Sequence, residues 1–347
     1  MTHSVTSFPQ FVLEDGTVLS DPPVAYKTWG KLNNSADNAV IICHALTGDC
    51  NADSWWSHLV GPGKSIDTNK FFVVCANTIA SPYGTVSPIT TNPETGSKYG
   101  KNFPISSIRD TVNLHKKLLD KLGVKGVAFC IGGSMGGMQA LEWSFFEDFV
   151  KGLIIIGTSG RHSAWCIAWS ETQRQAIYKD PNWKDGSYSS DSGPDAGLAI
   201  ARMIAMISYR SFESFGKRFG REKAKQGSDQ LFSVETYLHH HGDKLVDRFD
   251  ANCYVRLTQS MDKHDISRER GNYFDVLSQI KQPALIVGID TDILYPLSEQ
   301  KELADHMPNA TLERLSYHHG HDSFLIELEN VNDKISKWIE KKLPYKF

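Results

Sequence analysis

The chain has no large surplus of either charge: 37 Lys plus Arg stand against 40 Asp plus Glu, a net of -3. Without an overall positive field there is nothing to collect phosphates, which argues against a nucleic-acid or membrane-surface partner. Also missing is any uninterrupted apolar stretch near the 18 or so residues of a spanning helix. The opening MTHSVTSFPQ has neither a basic flank nor an apolar core, so no secretory signal is expected there. Cysteine is sparse, and the six residues (Cys43, Cys50, Cys75, Cys130, Cys166, Cys253) form no CxxC pair. Three of them lie in or at the ends of apolar runs, which suits small core hydrophobes rather than a disulfide framework. A reducing cytoplasm is the expected compartment. Internal repeats and low-complexity segments are absent.

What is present is a globular composition, 40% hydrophobic, 11% aromatic and 22% charged. Dividing the 347 residues by about 150 per domain gives roughly 2.3, so the length allows one large domain with an insertion, or two domains. The first half alternates short apolar runs with helical patterns. Runs at 39–43, 71–75, 126–131 and 152–156 are continuous rather than alternating, as expected of parallel strands covered on both faces. Between the second and third, Ile108, Val112, Leu118, Leu119 and Leu122 make a helical stripe with Gly123 as its C-terminal stop, which gives a βαβ unit. A fifth run, 283–288, appears only some 125 residues after the fourth. The stretch between holds Trp165, Trp169, Trp183 and helical stripes such as 198–209, and it reads as a mostly helical insertion in an α/β core. The expected division is core 1–159, insertion 160–282 and core 283–347. A last amphipathic helix is expected over 331–339.

The third run leads straight into Gly132-Gly133-Ser134-Met135-Gly136-Gly137, with a helix expected from Met138. This is G-x-S-x-G at a strand-to-helix turn, the context in which the motif marks a nucleophile. Gly132 and Gly136 are needed because a β-carbon there would clash at the sharp turn. A serine hydroxyl is a poor nucleophile at neutral pH, so it needs a base, and the base needs an orienting carboxylate. Both follow in the order Ser, Asp, His. Asp290 and Asp292 come just after the fifth run, with Asp292 favoured and Asp290 assigned to capping the turn. His318, His319 and His321 come later, with His321 favoured because it follows Gly320 and opens an apolar stretch. The competing reading, a metal site of those three histidines, lacks an acidic or Cys partner at suitable spacing. His239-His240-His241 reads as a solvated helix face. Acyl transfer also needs donors for a tetrahedral oxyanion. The N–H of Met135 and that of Leu46, in the turn His44-Ala45-Leu46-Thr47-Gly48, are the candidates.

Several strings are more specific than this pattern. NAVIICHALTGD (38–49), SPYGTVSPITTNPETGSKYGKNFPISSIRD (81–110), GGSMGGMQALEW (132–143), SGRHSAWCIAWSETQRQAIY (159–178) and FDANCYVRLTQSMDKHD (249–265) resemble the homoserine O-acetyltransferase family, most closely its fungal branch. The similarity covers nearly the whole chain, which is compact beside fungal relatives. The resemblance implies an α/β-hydrolase core with a helical lid, and ping-pong transfer of acetyl from acetyl-CoA through an acyl-serine to homoserine, for methionine synthesis. It places Ser134, Asp292 and His321 at the triad positions and Leu46 and Met135 at the oxyanion donors. Arg202 would bind the acceptor's carboxylate, Tyr209 would line the pocket and Asp322 would hold the ammonium. A bidentate Arg suits a carboxylate, and positions i and i+7 share a helix face. The family further implies no permanently bound cofactor and no metal, small-molecule partners only, and a homodimer with CoA entering under the lid. Relatives on this scaffold acylate serine or use succinyl-CoA, and an esterase or thioesterase would use the same machinery with water as acceptor.

Overall fold

The continuous apolar runs become the centre of one sheet. The computed structural model describes residues 3–189, 191–224 and 231–343. Its strands are β1 (Ser4–Ser7), β2 (Gln10–Val12), β3 (Val18–Ser20), β4 (Pro23–Trp29), β5 (Ala39–Cys43), β6 (Phe72–Ala76), β7 (Val127–Gly133), β8 (Leu153–Ile156), β9 (Ala284–Ile289) and β10 (Ala310–Leu315). Eight of them form a sheet in the order β1-β4-β6-β5-β7-β8-β9-β10, while β2 and β3 pair separately. Pairing is antiparallel from β1 through β4 to β6 and parallel from β6 to β10. The fold is that of an α/β hydrolase.

Successive side chains of the central strands enter two different cores, which is why these segments carry no polar alternation. Ile41, Cys43, Cys130, Leu153, Ile155 and Ile286 join one apolar cluster. Val40, Ile42, Ile131, Ile154, Ile156 and Val287 join the other. The short helix α1 (Ala52–Trp55) and the C-terminal α12 (Leu328–Lys342) cover the second face through Ala52, Val331, Ile335 and Trp338. Helices α2 (Ile108–Lys121), α3 (Met135–Trp143) and α10 (Leu297–His306) cover the first. Helix α2 is fixed at its start by a reciprocal cap, with Asp110 N–H donating to Ser107 Oγ at 3.0 Å and Ser107 N–H to Asp110 Oδ2 at 2.8 Å. Gly123 follows it at φ 81°, the left-handed stop expected from the sequence.

Between β8 and β9 the described residues are helical: α4 (Ala164–Tyr178), α5 (Asp195–Ser208), α6 (Phe212–Phe219), α7 (Ser233–Val246), α8 (Ala251–Asp262) and α9 (Tyr273–Gln279). A β-carbon on Gly197 would lie 2.7 Å from Ala176 O and one on Gly242 3.0 Å from Ala199 O. Helix α5 therefore runs between α4 and α7 at backbone contact. A short helix α11 (Ser323–Ile326) follows the loop after β10. All six cysteines are buried and unbridged. Among the described residues no helix is long and apolar enough to cross a membrane.

Two expectations shift. Helix α3 starts at Met135, not Met138, so it opens immediately behind Ser134. His239 and His240 are exposed, but His241 is turned in against the Tyr237 ring, 4.4 Å between centroids. Burial, then the charges of Arg202, His240, Lys244 and Arg210, push the His241 pKa down to about 4.

Candidate active site

Ser134 is the single residue between β7 and α3, and the tightness of that turn shows in its backbone. Its φ of 58° and ψ of -125° are a conformation that costs a non-glycine residue about 1–3 kcal/mol. The surroundings hold it there. Ser134 N–H donates to Ile156 O at 2.9 Å, and Ser134 O accepts from Gly137 N–H at 2.8 Å. A β-carbon on Gly132 would sit 2.1 Å from Gly136 O, and one on Gly136 2.1 Å from Cys43 O. Neither can be relieved by moving a side chain. Gly133 and Gly137 are pressed too, by the Phe324 ring and the Thr158 methyl at 2.5 and 2.6 Å.

The loops after β9 and β10 supply the other two groups. His321 Nδ1 lies 2.6 Å from Asp292 Oδ2, and both residues are buried. An ionised carboxylate only accepts, so Nδ1 carries the proton and Nε2 is left as the basic nitrogen. The other oxygen, Asp292 Oδ1, accepts the N–H groups of Leu294 at 2.8 Å and Tyr295 at 2.9 Å. Burial pulls the His321 pKa down. The charge of Asp292, its hydrogen bond and the charge of Asp322 outweigh this and hold the imidazole above its ordinary value. The ring is lined by Tyr209, Tyr295 and Phe324, with centroids 5.7, 5.4 and 5.5 Å away. It also borders the peptide that anchors Ser134: a β-carbon on Gly157, next to Ile156, would lie 3.6 Å from His321 Nδ1.

Asp290 does not cap the turn. It accepts from Arg314 Nε at 2.8 Å and Ser316 Oγ at 2.6 Å, tying the end of β9 to β10 at the surface. His319 Nε2 is 3.1 Å from Glu327 Oε1, away from the Asp292 carboxylate that holds His321.

Leu46 lies in the turn after β5, the strand paired with β7 through Cys43 and Gly132. The turn is shaped by His44, which donates from Nδ1 to Ala45 O at 2.9 Å and accepts Thr78 N–H on Nε2 at 3.2 Å. Burial depresses the His44 pKa, consistent with this neutral tautomer. Arg248 reaches the same turn from the helical insertion and donates to Thr47 O at 2.8 Å. Met135 opens α3, where first-turn N–H groups have no partner inside the helix.

Arg202 on α5 stands over the Tyr209 ring, 5.5 Å from its centroid, and makes no ion pair among the described residues. Asp322 follows His321 directly. Burial pushes its carboxyl above the ordinary value, against the pull of Arg210, His321 and Arg202. Its ion-pair partner, Arg210 Nε at 3.3 Å, was not anticipated from the sequence. The available signal was its place in ARMIAMISYR, directly after Tyr209. Tyr295, whose N–H and ring hold the Asp292–His321 pair, carried no sequence signal. The fold thus brings Ser134, Asp292, His321, Leu46 and Met135 to the loops at the C-terminal ends of β5, β7, β9 and β10, with Arg202, Tyr209 and Asp322 beside them.

Residues 38–328 match the alpha/beta hydrolase fold family. The homoserine O-acetyltransferase of Salinibacter ruber is 57% identical over 335 residues, 95% of each chain. The chain belongs to the homoserine O-acetyltransferase family. The Schizosaccharomyces pombe homoserine O-acetyltransferase is 40% identical over an alignment of 417 residues that covers 96% of this chain and 85% of the fungal one. That alignment is longer than the chain itself, so the fungal protein carries insertions that this family member lacks. A solved structure, esterase E22, superposes with a TM-score of 0.90 at 28% identity, covering 97% of this chain and 99% of its own.

Proposed function

We propose that the protein transfers an acetyl group from acetyl-CoA to the hydroxyl of L-homoserine by a ping-pong route through acetyl-Ser134. His321 Nε2 takes the Ser134 proton as Oγ attacks the thioester carbonyl. The oxyanion is held by the N–H groups of Leu46 and Met135, each worth roughly 2.7–4 kcal/mol. The C–S bond breaks, and the proton on His321 passes to the departing thiolate. In the second half His321 takes the homoserine hydroxyl proton, the new oxygen attacks the acyl-serine, and the proton returns to Ser134 Oγ. O-Acetyl-L-homoserine leaves, a precursor for methionine biosynthesis. Asp292 keeps His321 in the required tautomer and stabilises its charged form.

The observation that carries this reading is the charge pattern beside the histidine. Among the described residues Arg202 has no carboxylate partner, and Asp322 stands next to His321, so the two suit the ends of a small zwitterion. Favouring that acceptor over water by about a thousandfold takes roughly 4 kcal/mol of differential stabilisation. The insertion 160–282 would act as the lid, with acetyl-CoA as co-substrate, no resident cofactor and a cytoplasmic setting. Ile200, Ile207 and Phe212 are 48%, 42% and 95% exposed on α5 and α6, exposed apolar side chains that support a homodimer.

The likeness to esterase E22 favours a second reading, in which water takes the acyl group. Rapid-quench measurement of CoA release separates the two. A burst followed by slow turnover, strongly accelerated by homoserine and not by serine, supports the transferase. Fast turnover indifferent to amino acids would overturn it. Running acetyl-CoA and succinyl-CoA in parallel identifies the donor.

A further inference from the structure

The helical insertion touches the histidine loop at one corner, Tyr209-Arg210-Ser211, and the contact is made mostly of backbone. Asp322 N–H donates to Tyr209 O at 3.1 Å, and Ser211 Oγ donates to His318 O. Gly320, at φ 72°, lies flat against the corner: a β-carbon there would be 2.7 Å from Arg210 C and 2.8 Å from Ser211 N. On the other side Gly320 N–H donates to Thr291 Oγ1 at 3.1 Å, next to Asp292. The corner, the histidine loop and the acid loop therefore form one contiguous stack. The charged contact across it is Arg210 Nε to Asp322 Oδ2, between side chains only 12% and 17% exposed.

Asp322 needs such a partner. A carboxylate this poorly hydrated, next to His321 and within electrostatic reach of Asp292, has two ways to lower its energy in the absence of a cation. It can take up a proton, or it can swing onto the imidazolium that forms in each half-reaction and compete with Asp292. Either outcome removes the negative end of the acceptor site. Arg202, the other arginine whose charge reaches Asp322, is eight residues back on α5, and its pairing with Asp322 would remove the group that receives the acceptor's carboxylate. Two arginines and one aspartate thus divide the work: one arginine is tied to the aspartate, and the other makes no ion pair among the described residues.

We propose that Arg210 is a positioning residue for acceptor recognition, holding Asp322 ionised and in place so that it reads the ammonium group of the amino acid. The proposal rests on the acetyltransferase reading above. It makes ammonium recognition, rather than acyl-enzyme formation, the step most sensitive to Arg210.

The test compares homoserine with 4-hydroxybutyrate, which keeps the hydroxyl and carboxylate and lacks the amine. The ratio of their kcat/KM values as acceptors measures ammonium recognition. In Arg210→Gln this ratio should fall at least about tenfold, the scale of one hydrogen bond to a charged group. Acceptor KM should rise, while the acetyl-CoA burst falls less than the acceptor step. Arg210→Lys should recover a substantial part of the ratio, because it restores charge without the guanidinium fork. A wild-type ratio well above one that is unchanged in Arg210→Gln overturns the proposal alone. So does an equal loss in both half-reactions with the ratio preserved, the signature of a merely structural corner. A wild-type enzyme whose turnover homoserine does not accelerate overturns the acetyltransferase reading and this proposal together. Should the Gln variant fail to fold, Arg210→Lys decides: no change in its ratio, despite losing the guanidinium geometry, counts against Arg210, and a partial fall supports it.

Discussion

Replacing Asp292 with asparagine changes one atom of the carboxyl group, and the structure dictates where that atom goes. Asp292 Oδ1 accepts two backbone N–H groups, from Leu294 and Tyr295, at 2.8 and 2.9 Å. An amide placed with its NH2 toward those donors would lose both hydrogen bonds in a buried site, costing about 2–6 kcal/mol. The amide oxygen therefore stays on the backbone, and the NH2 faces His321 Nδ1. A donor there forces Nδ1 to accept, which puts the imidazole proton on Nε2, the nitrogen proposed to take the Ser134 proton. At a flip cost of about 3 kcal/mol, fewer than roughly 1 in 100 molecules carries the productive arrangement. Those molecules still lack the charge that stabilises the imidazolium. The expected loss in kcat is about 10³-fold or more, with folding preserved because the shape is unchanged. Stopped-flow release of CoA, with circular dichroism as the folding control, measures it. Asp290→Asn is the internal reference: its partners are Arg314 and Ser316 at the surface, and activity should stay within about twofold. An Asp292→Asn enzyme within tenfold of wild type, or an Asp290→Asn enzyme more impaired than it, would refute the argument.

Gly132→Ala should prevent stable folding or lower the urea midpoint steeply, because the added carbon meets backbone at 2.1 Å; Gly216→Ala, exposed in α6 with nothing within 4 Å, should raise stability by up to about 1 kcal/mol. As the proposed base His321 must be neutral to act, and its pKa is raised, so a kcat/KM profile should lose activity as pH falls through a value above the ordinary histidine pKa of about 6.5. The same raised pKa contributes stability that is fully present below the unfolded value and is lost as pH rises through the folded one, which urea titrations across that window can follow. Glu142, buried at 3%, is gripped by Arg109 at 3.2 Å and by Arg270 at 2.7 and 3.1 Å. Glu142→Ala leaves both guanidiniums without it and should cost about 3–5 kcal/mol in equilibrium denaturation.

Much of the architecture was legible because burial on both faces leaves a plain mark in sequence. β5, β6, β7, β8 and β9 are uninterrupted apolar runs, and their order relative to Ser134, Asp292 and His321 is visible without coordinates. β1 and β10 were not, for a physical reason. β1 is an edge strand with mostly exposed side chains, and β10 is only partly buried until Leu315. Neither needs an apolar run, since their pairing comes from the backbone. The elbow glycines were readable at 132 and 136 because the turn itself demands them, whereas Gly133 and Gly137 are required by Phe324 and Thr158, contacts that only the folded chain creates. Asp290 and Asp292 look alike in sequence and differ only in what surrounds them. Arg210 escaped because an arginine at a helix end is usually a surface residue, and only the return of the loop after β10 turns it into an internal partner.

The 2.1 Å approach of a hypothetical Gly136 β-carbon to Cys43 O has a consequence for how such a protein can change. The segments that carry Met135 and Leu46 meet at main-chain distance, braced by Gln139 Nε2 donating to His44 O at 3.3 Å, so the spacing of their two N–H groups owes little to the side chains of Met135 and Leu46 themselves. Evolution and protein engineers have little grip there. The helical insertion offers far more: it contributes Arg202, Tyr209, Arg210 and Arg248 through their side chains. Selection for a different acceptor or acyl donor should therefore accumulate changes in the insertion, while the stretches at 43–48 and 132–137 persist as inherited hardware.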